Sequence, residues 1–337
     1  MFGIAGFGYA FGVDQDVRLV AADYVPDPER IVRMGYRTFH RAPDDVTATN
    51  LAARAARDAL DGVGCSTADL DLLVVAVSEL PEYPHWDSSA ALARELKIDK
   101  IQTLLLTEGC ACGVTGLGLV AGVLATQPEI ETVLFVAVNR VSEFHRNRMT
   151  VNTAVHSDGA VAALLRRDHP RNRWLATEQF TDSEFCDWFR TDYGGAVAPV
   201  PPPGWSSDTA SAGAERVHAH FDKNPRRLRA FVDALADRST EVIRKACDRA
   251  GVDPAELTHV FALNESADAI ADVARPFGIP HERTNADLSA IHGHMGAADQ
   301  LAMLGLRWDR GDLSPGDLAA LTGTSIGMRW YCSLIRV

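Results

Sequence analysis

Two cysteines one residue apart, Cys110 and Cys112, lie in "TEGCACGVTGLGLVAGVLA", residues 107 to 125. Such thiols serve as metal ligands, as disulfide partners or as nucleophiles. A Cys-x-Cys pair alone is a poor zinc site, because zinc takes four ligands and no second pair lies at suitable spacing. The remaining cysteines, 65, 186, 247 and 332, fit no disulfide framework, and a chain of this length needs none. Four or five of the six read as scattered reduced thiols of a cytoplasmic protein. Cys110 is the candidate for chemistry. It stands where the buried-strand pattern "TLLLTEG" gives way to a helix beginning near "GVTGLGLVAG". Unpaired N–H groups and the positive end of a helix dipole stabilise a thiolate there, lowering a cysteine pKa from ~8.5. Gly109 and Gly113 permit a sharp turn and close approach of a ligand. The same residues also read as a small buried side chain at a tight junction, and spacing alone leaves both readings open.

The elements that must position such a thiol alternate along the chain. "FGIAGFGYAF" reads as a strand, "TNLAARAARDALDGVG" as a helix stopped by Gly62 and Gly64, and "LDLLVVAVSE" as a strand buried on both faces. "DSSAALARELK" is a helix capped by Asp87 or Ser88, "IQTLLLTEG" another buried strand, and "TVLFVAVNR" and "DGAVAALLRR" two more. From about 180 to 225 the pattern fails in a Pro-, Gly- and Ser-rich stretch that reads as loop, and long loops are often functional. Order returns with the helix "RRLRAFVDALADRSTEVIRKACDRAG", the strand "THVFALNES", the helices "ADAIADVARPFG" and "GAADQLAMLGLRWDRG", and two closing strands in "DLAALTGTSIGMRWYCSLIRV". The second half echoes the first. Alternating β and α elements predict an α/β protein with a mostly parallel sheet flanked by helices.

The chain has 337 residues, 47% hydrophobic and 23% charged, with net charge −12. That is enough apolar material for two domains or one large domain of two halves. A surface this acidic repels nucleic acid and anionic membranes, so neither is expected as a partner. No apolar run approaches the ~20 residues of a membrane span. The N-terminus lacks a basic n-region and reads as strand and turn rather than as a signal peptide.

"GCACGVTGL" resembles the nucleophile segment of the thiolase superfamily, especially β-ketoacyl-ACP synthase III and its relatives. Cys110, with Gly113 and Leu117, fits that register, and Cys112 falls where the family has a small residue. The resemblance runs through "PERIVRMGYRTFHR", "LDLLVVAVSELPEYP", "VHSDGAVAALL" (Ser157 replacing a glycine), "THVFALNESADAIADVARPFGIP" and "SIGMRWYCSLIRV". It implies a thiolase fold, five-layered αβαβα and built from two similar halves, residues 1–168 and 169–337, and a homodimer. It implies Cys110 as acyl carrier, a CoA or phosphopantetheine thioester as substrate, and no permanently bound cofactor or metal.

The partners of the cysteine depart from the family. Condensing enzymes of this type pair it with a histidine and an asparagine. Here "ALNESADAI" puts Asn264 where histidine is expected, and "HGHMGAADQL" puts His294 where asparagine is expected. Thiolases carry Asn-Glu and Gly-His-x-x-Gly at these points. Their second cysteine, however, is replaced near Ser325, which is a candidate substrate contact, since a serine hydroxyl is too weak an acid to act as that base unaided. His294 can take the proton of Cys110 and later that of an incoming nucleophile. Asp299, five residues on, can fix its tautomer, or can simply complement a helix N-terminus. Asn264 can donate to an acyl oxygen or a water, and His156 can face the pocket. The N–H groups of Cys110 and Gly327 are expected to form the oxyanion hole. Arg37 and Arg148, with Arg41 and Arg146, are candidate phosphate or carrier contacts, although for any one of them a solvated basic surface is the readier reading. Trp86 and Trp205 are candidates for the pocket rim, Trp205 within a long loop at about 190–215.

The expected activity is transfer of an acyl group from a CoA or acyl-carrier-protein thioester, through Cys110, to an O, N or S nucleophile of a small molecule in natural-product biosynthesis. Carbon–carbon condensation is the alternative. A catalytically silent partner subunit is a third reading, which an intact Cys110 with His294 and Asp299 disfavours.

Overall fold

The computed structural model describes residues 1–151, 153–208 and 212–337. The first half runs β1 (Phe2–Phe11), β2 (Val13–Asp16), α1 (Val17–Tyr24), α2 (Pro28–Arg33), β3 (Thr38–Arg41), α3 (Ala48–Val63), β4 (Leu72–Val77), α4 (Ser88–Glu95), β5 (Gln102–Leu106), α5 (Cys112–Thr126), β6 (Thr132–Asn139) and β7 (Gly159–Arg167). The second runs β8 (Arg173–Thr181), α6 (Ala212–His220), α7 (Pro225–Ala250), β9 (His259–Phe261), α8 (Ala267–Ala274), α9 (Ala286–His292), α10 (Asp299–Asp309), β10 (Leu318–Ser325) and β11 (Arg329–Arg336).

One sheet carries the strand order β5-β4-β6-β7-β1-β8-β11-β10-β9. In the first half β4 is parallel to β5 and β6, and β7 is antiparallel to β6 and β1. The second half repeats this: β9 is parallel to β10, and β11 is antiparallel to β10 and β8. A single parallel bridge between Val260 and Thr284 stands where β5 stands in the first half. Gly3 against Arg173 joins the two sets of strands.

Alternation of side chains along the strands produces the layers. On β4, Leu72, Val74 and Ala76 face a core with α5 and α10, while Leu73, Val75 and Val77 face α3 and α4. On β10, Ala319 and Leu321 join the same central core, while Leu318 and Ala320 pack against α7. The result is helix, sheet, paired helices, sheet, helix: the five-layered αβαβα arrangement that the resemblance implies. Local signals agree with it. Thr47 and Asn50 form a capping box on α3, and Gly64 ends that helix at φ 64°.

Four expectations change. The sheet is mixed rather than mostly parallel, because β7 and β11 run antiparallel to both of their neighbours and β1 is antiparallel to β8. The window Gly109–Thr126 is long and apolar enough to match a membrane span, with mean hydropathy 1.7. Its burial between two sheet faces explains that composition, since Cys112, Val114, Leu117 and Val120 are all fully enclosed. β8, "RWLATEQFT", is a strand that its mixed polarity conceals, because only Ala176 in it is fully buried. The irregular stretch is also shorter than 180–225, because Ala212–His220 is helical; residues 209–211 lie outside the described ones.

Candidate active site

The nucleophile segment is gripped by the C-terminal hairpin. Gly109 adopts φ +63°, and a Cβ there would meet Ser325 Oγ and Ile326 Cγ1, each at 2.8 Å. Ser325 Oγ accepts from the Ala111 N–H at 3.3 Å and donates to the Glu108 carbonyl at 3.0 Å. Tyr331 Oη donates to the Cys110 carbonyl at 3.3 Å, and Gln300 Nε2 donates to Tyr331 Oη at 3.0 Å. The Cys110 side chain stays partly open, whereas Cys112 is fully buried. Burial pushes the Cys112 thiol well up, and its Sγ donates to the Gly109 carbonyl at 3.0 Å, so it is an inert filler.

The histidine reaches the cysteine from another element. A short parallel pairing holds the His294 backbone: its N–H donates to the Val155 carbonyl at 2.7 Å, and the Ser157 N–H donates to its carbonyl at 2.8 Å. Its Nε2 lies 3.4 Å from Cys110 Sγ, and its Nδ1 lies 2.6 Å from Asp299 Oδ2. Asp299, wholly buried at the start of α10, also accepts the Asn264 N–H at 2.8 Å and the Met295 N–H at 2.6 Å. An acceptor-only carboxylate makes Nδ1 the protonated nitrogen and leaves Nε2 facing the sulfur. Burial alone would lower the His294 pKa. The charges and hydrogen bonds of Asp299 and Cys110 outweigh it and hold the imidazole well above its ordinary value. Cys110, His294 and Asp299 thus form a continuous chain of the nucleophile–base–orienter type.

The other expected residues separate. Asn264 is wholly buried; its Nδ2 donates to the Gly293 carbonyl at 2.8 Å, and its Oδ1 accepts from Asn285 Nδ2 at 2.8 Å. Its amide is committed to holding the His294 loop, which corrects the reading of it as a donor to acyl oxygen or water. Ser325, engaged as described, holds backbone rather than substrate. Arg148 is 1% exposed and meets Asp158 through both terminal nitrogens, at 3.0 and 2.9 Å, and Glu143 through Nε. It is therefore not a phosphate contact. Burial would raise the Glu143 carboxyl, but Arg41 and Arg148 hold it at about 2. Arg41 is thus committed to Glu143 and Asp44, and Arg146 pairs with Glu79 at 3.2 Å. Arg37 is exposed.

His156 is buried beside His294, ring centroids 5.2 Å apart. Trp86 packs edge-on against Tyr83, and Trp205 lies between Phe144 and Tyr193. Ser207 Oγ donates to the Glu143 carbonyl at 2.6 Å, fastening the long loop over the 143–147 segment. Gly327, at φ +114°, forms the hairpin turn that follows Ser325 and Ile326. Glu108 pairs with Arg329 at 2.5 Å. Tyr331, Gln300 and Asn285 were not singled out from sequence. Gln300 beside Asp299 and the aromatic pair in "RWYC" are the signals that point to the first two.

Comparisons with known proteins follow the same lines. The family model for 3-oxoacyl-[acyl-carrier-protein] synthase III matches residues 106–183, and that for its C-terminal region matches residues 247–337. These stretches carry Cys110, His294 and Asp299. The chain is 26% identical over 305 residues to a β-ketoacyl-[acyl-carrier-protein] synthase III of Synechocystis sp., covering 90% of this chain and 88% of that protein. It is 28% identical over 306 residues to one of Gloeobacter violaceus, with the same coverage. Among solved structures it resembles ChlB3, described as an acyltransferase, at TM-score 0.84 and 22% identity, covering 100% and 97% of the two chains. It also resembles the synthase III of Aquifex aeolicus at TM-score 0.80 and 20% identity, with 100% of both chains covered. These structural likenesses speak to the fold.

Proposed function

Because the chain belongs to the β-ketoacyl-ACP synthase III-like branch of the thiolase superfamily, we propose that it is a thioester-dependent acyltransferase of natural-product biosynthesis that does not decarboxylate its donor. The observation that carries this reading is the Cys110–His294–Asp299 chain, with distances of 3.4 and 2.6 Å.

The steps balance on these groups. His294 Nε2 takes the Cys110 proton. Cys110 Sγ adds to the carbonyl of a CoA or carrier-protein thioester, with the N–H groups of Cys110 and Gly327 proposed to receive the oxyanion. The donor's carbon–sulfur bond breaks, and its thiolate leaves with the proton from His294. The acyl-enzyme then holds a neutral His294. An acceptor X–H adds to the acyl carbon and gives its proton to Nε2, and the electron pair of the breaking bond returns to Sγ. Asp299 keeps the imidazole in one tautomer and stabilises each imidazolium. Arg37 is proposed as a contact to the donor's phosphates.

Decarboxylative condensation instead calls for two hydrogen-bond donors on an enolate oxygen. Here the buried amide of Asn264 is committed to Gly293 and Asn285, and His294 is held as a base. Incubation with malonyl-CoA and intact-mass measurement tests the reading. A malonyl adduct on Cys110 that keeps its carboxylate is expected; release of carbon dioxide would overturn the non-decarboxylating reading.

A further inference from the structure

His156 stands at the site without a task in the chain from Cys110 to Asp299. The short pairing that fixes His294 places His156 directly opposite it. Residues opposite one another in a parallel bridge point to the same side. The two imidazoles accordingly stand 5.2 Å apart, tilted by 52°. His156 is held in place through its backbone: its N–H donates to the Arg148 carbonyl at 2.9 Å, and its carbonyl accepts from Arg148 Nη1 at 3.3 Å. The residue is 7% exposed, and its Nε2 is buried with no hydrogen-bond partner among the described residues.

An orphaned buried nitrogen is uncommon, because more than about 90% of buried polar groups are paired. Where one persists beside a reacting centre, a bound water, an ion or a substrate group can complete it. Arg146, His294 and Arg148 add positive charge around the ring, so after burial itself they all oppose its protonation and hold its pKa well below the ordinary value. His156 is thus a neutral hydrogen-bonding group beside a base whose proton comes and goes. Too weakly basic to deprotonate an acceptor, it is suited to orient one.

We propose that His156 binds the attacking atom of the acceptor, and that this atom is the oxygen or nitrogen of a hydroxyl or amino group rather than sulfur or carbon. This rests on the acyltransferase reading and narrows it. A hydroxyl or amine can give one proton to His294 and still hydrogen-bond to His156. A thiol is a weak hydrogen-bond donor and acceptor, and a carbon nucleophile has no such group at the attacking atom.

The test uses competing acceptors on one acyl-enzyme. The full-length protein is acylated with acetyl-CoA and chased with hydroxylamine or with N-acetylcysteamine, for wild type, His156→Phe and His156→Gln. The readout is the ratio of the two transfer rates, from which any change in acylation cancels. His156→Phe should lower the hydroxylamine-to-thiol ratio about tenfold, the effect of one lost hydrogen bond. His156→Gln, which keeps a polar terminus, should recover most of it. An unchanged ratio in His156→Phe would overturn the assignment while leaving the acyl-enzyme intact. Absence of any acyl-enzyme on the wild type would overturn both readings. Should the Phe variant not fold, nitrogen-15 NMR of the unacylated wild type titrated with hydroxylamine serves instead. The His156 signals should shift, and their failure to move would count against the proposal.

Discussion

Gly113 and Ala297 are packed backbone to backbone: a Cβ on Gly113 would lie 1.8 Å from the Ala297 carbonyl oxygen. This contact sets the first turn of α5, just after Cys110, against the segment between His294 and Asp299. It brings the sulfur within reach of the imidazole, and it leaves no room for even a methyl group. Gly113→Ala is therefore expected to destabilise the fold by about 3 kcal/mol and to lower transfer activity in the protein that does fold. Gly122, exposed on the same helix with nothing near its absent Cβ, is the control. Gly122→Ala should stabilise by about 0.5–1 kcal/mol in denaturant unfolding.

Asp299→Asn tests the orienting carboxylate. An asparagine offers an N–H as readily as an oxygen, so Nδ1 of His294 is no longer obliged to carry the proton. Transfer should fall by roughly 10³-fold in single-turnover measurements. The pH dependence should move as well. The His294 pKa is raised in the native protein, so the stability from its protonated form is present below the ordinary histidine value. It is lost as pH rises through the raised one. Without the charge and hydrogen bond of Asp299, burial weighs more heavily on His294, and that loss of stability with rising pH should shrink. An unchanged profile would remove Asp299 from the account.

Arg148 and Arg37 should behave oppositely. Arg148→Ala leaves Asp158, itself wholly buried, without its bidentate partner and should cost about 3–5 kcal/mol of stability. It should not change the KM for the donor. Arg37→Ala should leave stability within about 0.5 kcal/mol and raise the donor KM. Unfolding and steady-state kinetics on the two variants decide the matter.

Acid sensitivity is expected from a histidine pair behind the site. His40 Nε2 and His292 Nδ1 are 2.9 Å apart, both buried against Phe11. Burial first, then His40 and Arg310, lower the His292 pKa to about 4. The folded protein resists a proton that the unfolded chain accepts, so stability is full above about 6.5. It is lost as pH falls from there toward 4, by about 3 kcal/mol from His292 alone. In His292→Gln the stability lost between these pH values should shrink by a comparable amount.

The order of elements was legible because apolar runs and amphipathic stretches keep distinct periods, and because helix ends such as Thr47 and Gly64 carry their own signals. β8 was hidden because most of its side chains are only partly covered. Cys110, His294 and Asp299 were legible as a set because motif order survives in the sequence, and five residues separate the last two. Asn264 and Arg148 were misplaced for a common reason: residue type gives capacity, not commitment. The partners that commit Asn264, namely Gly293 and Asn285, lie 29 and 21 residues away, joined to it only by the fold. Arg148 has carboxylates five and ten residues away in sequence, but only burial makes that pairing obligatory.

The central claim is that Cys110 carries an acyl group and that His294 with Asp299 passes it on. Intact-mass measurement after incubation with acetyl-CoA tests it most directly, on wild type, Cys110→Ala and His294→Ala. The account predicts one acetyl adduct on the wild type and none on Cys110→Ala. On His294→Ala it predicts an adduct that forms slowly and is not discharged to hydroxylamine at the wild-type rate. A wild type that stays unmodified across a range of acyl-CoA and acyl-carrier-protein thioesters, or an adduct that persists in Cys110→Ala, would contradict it.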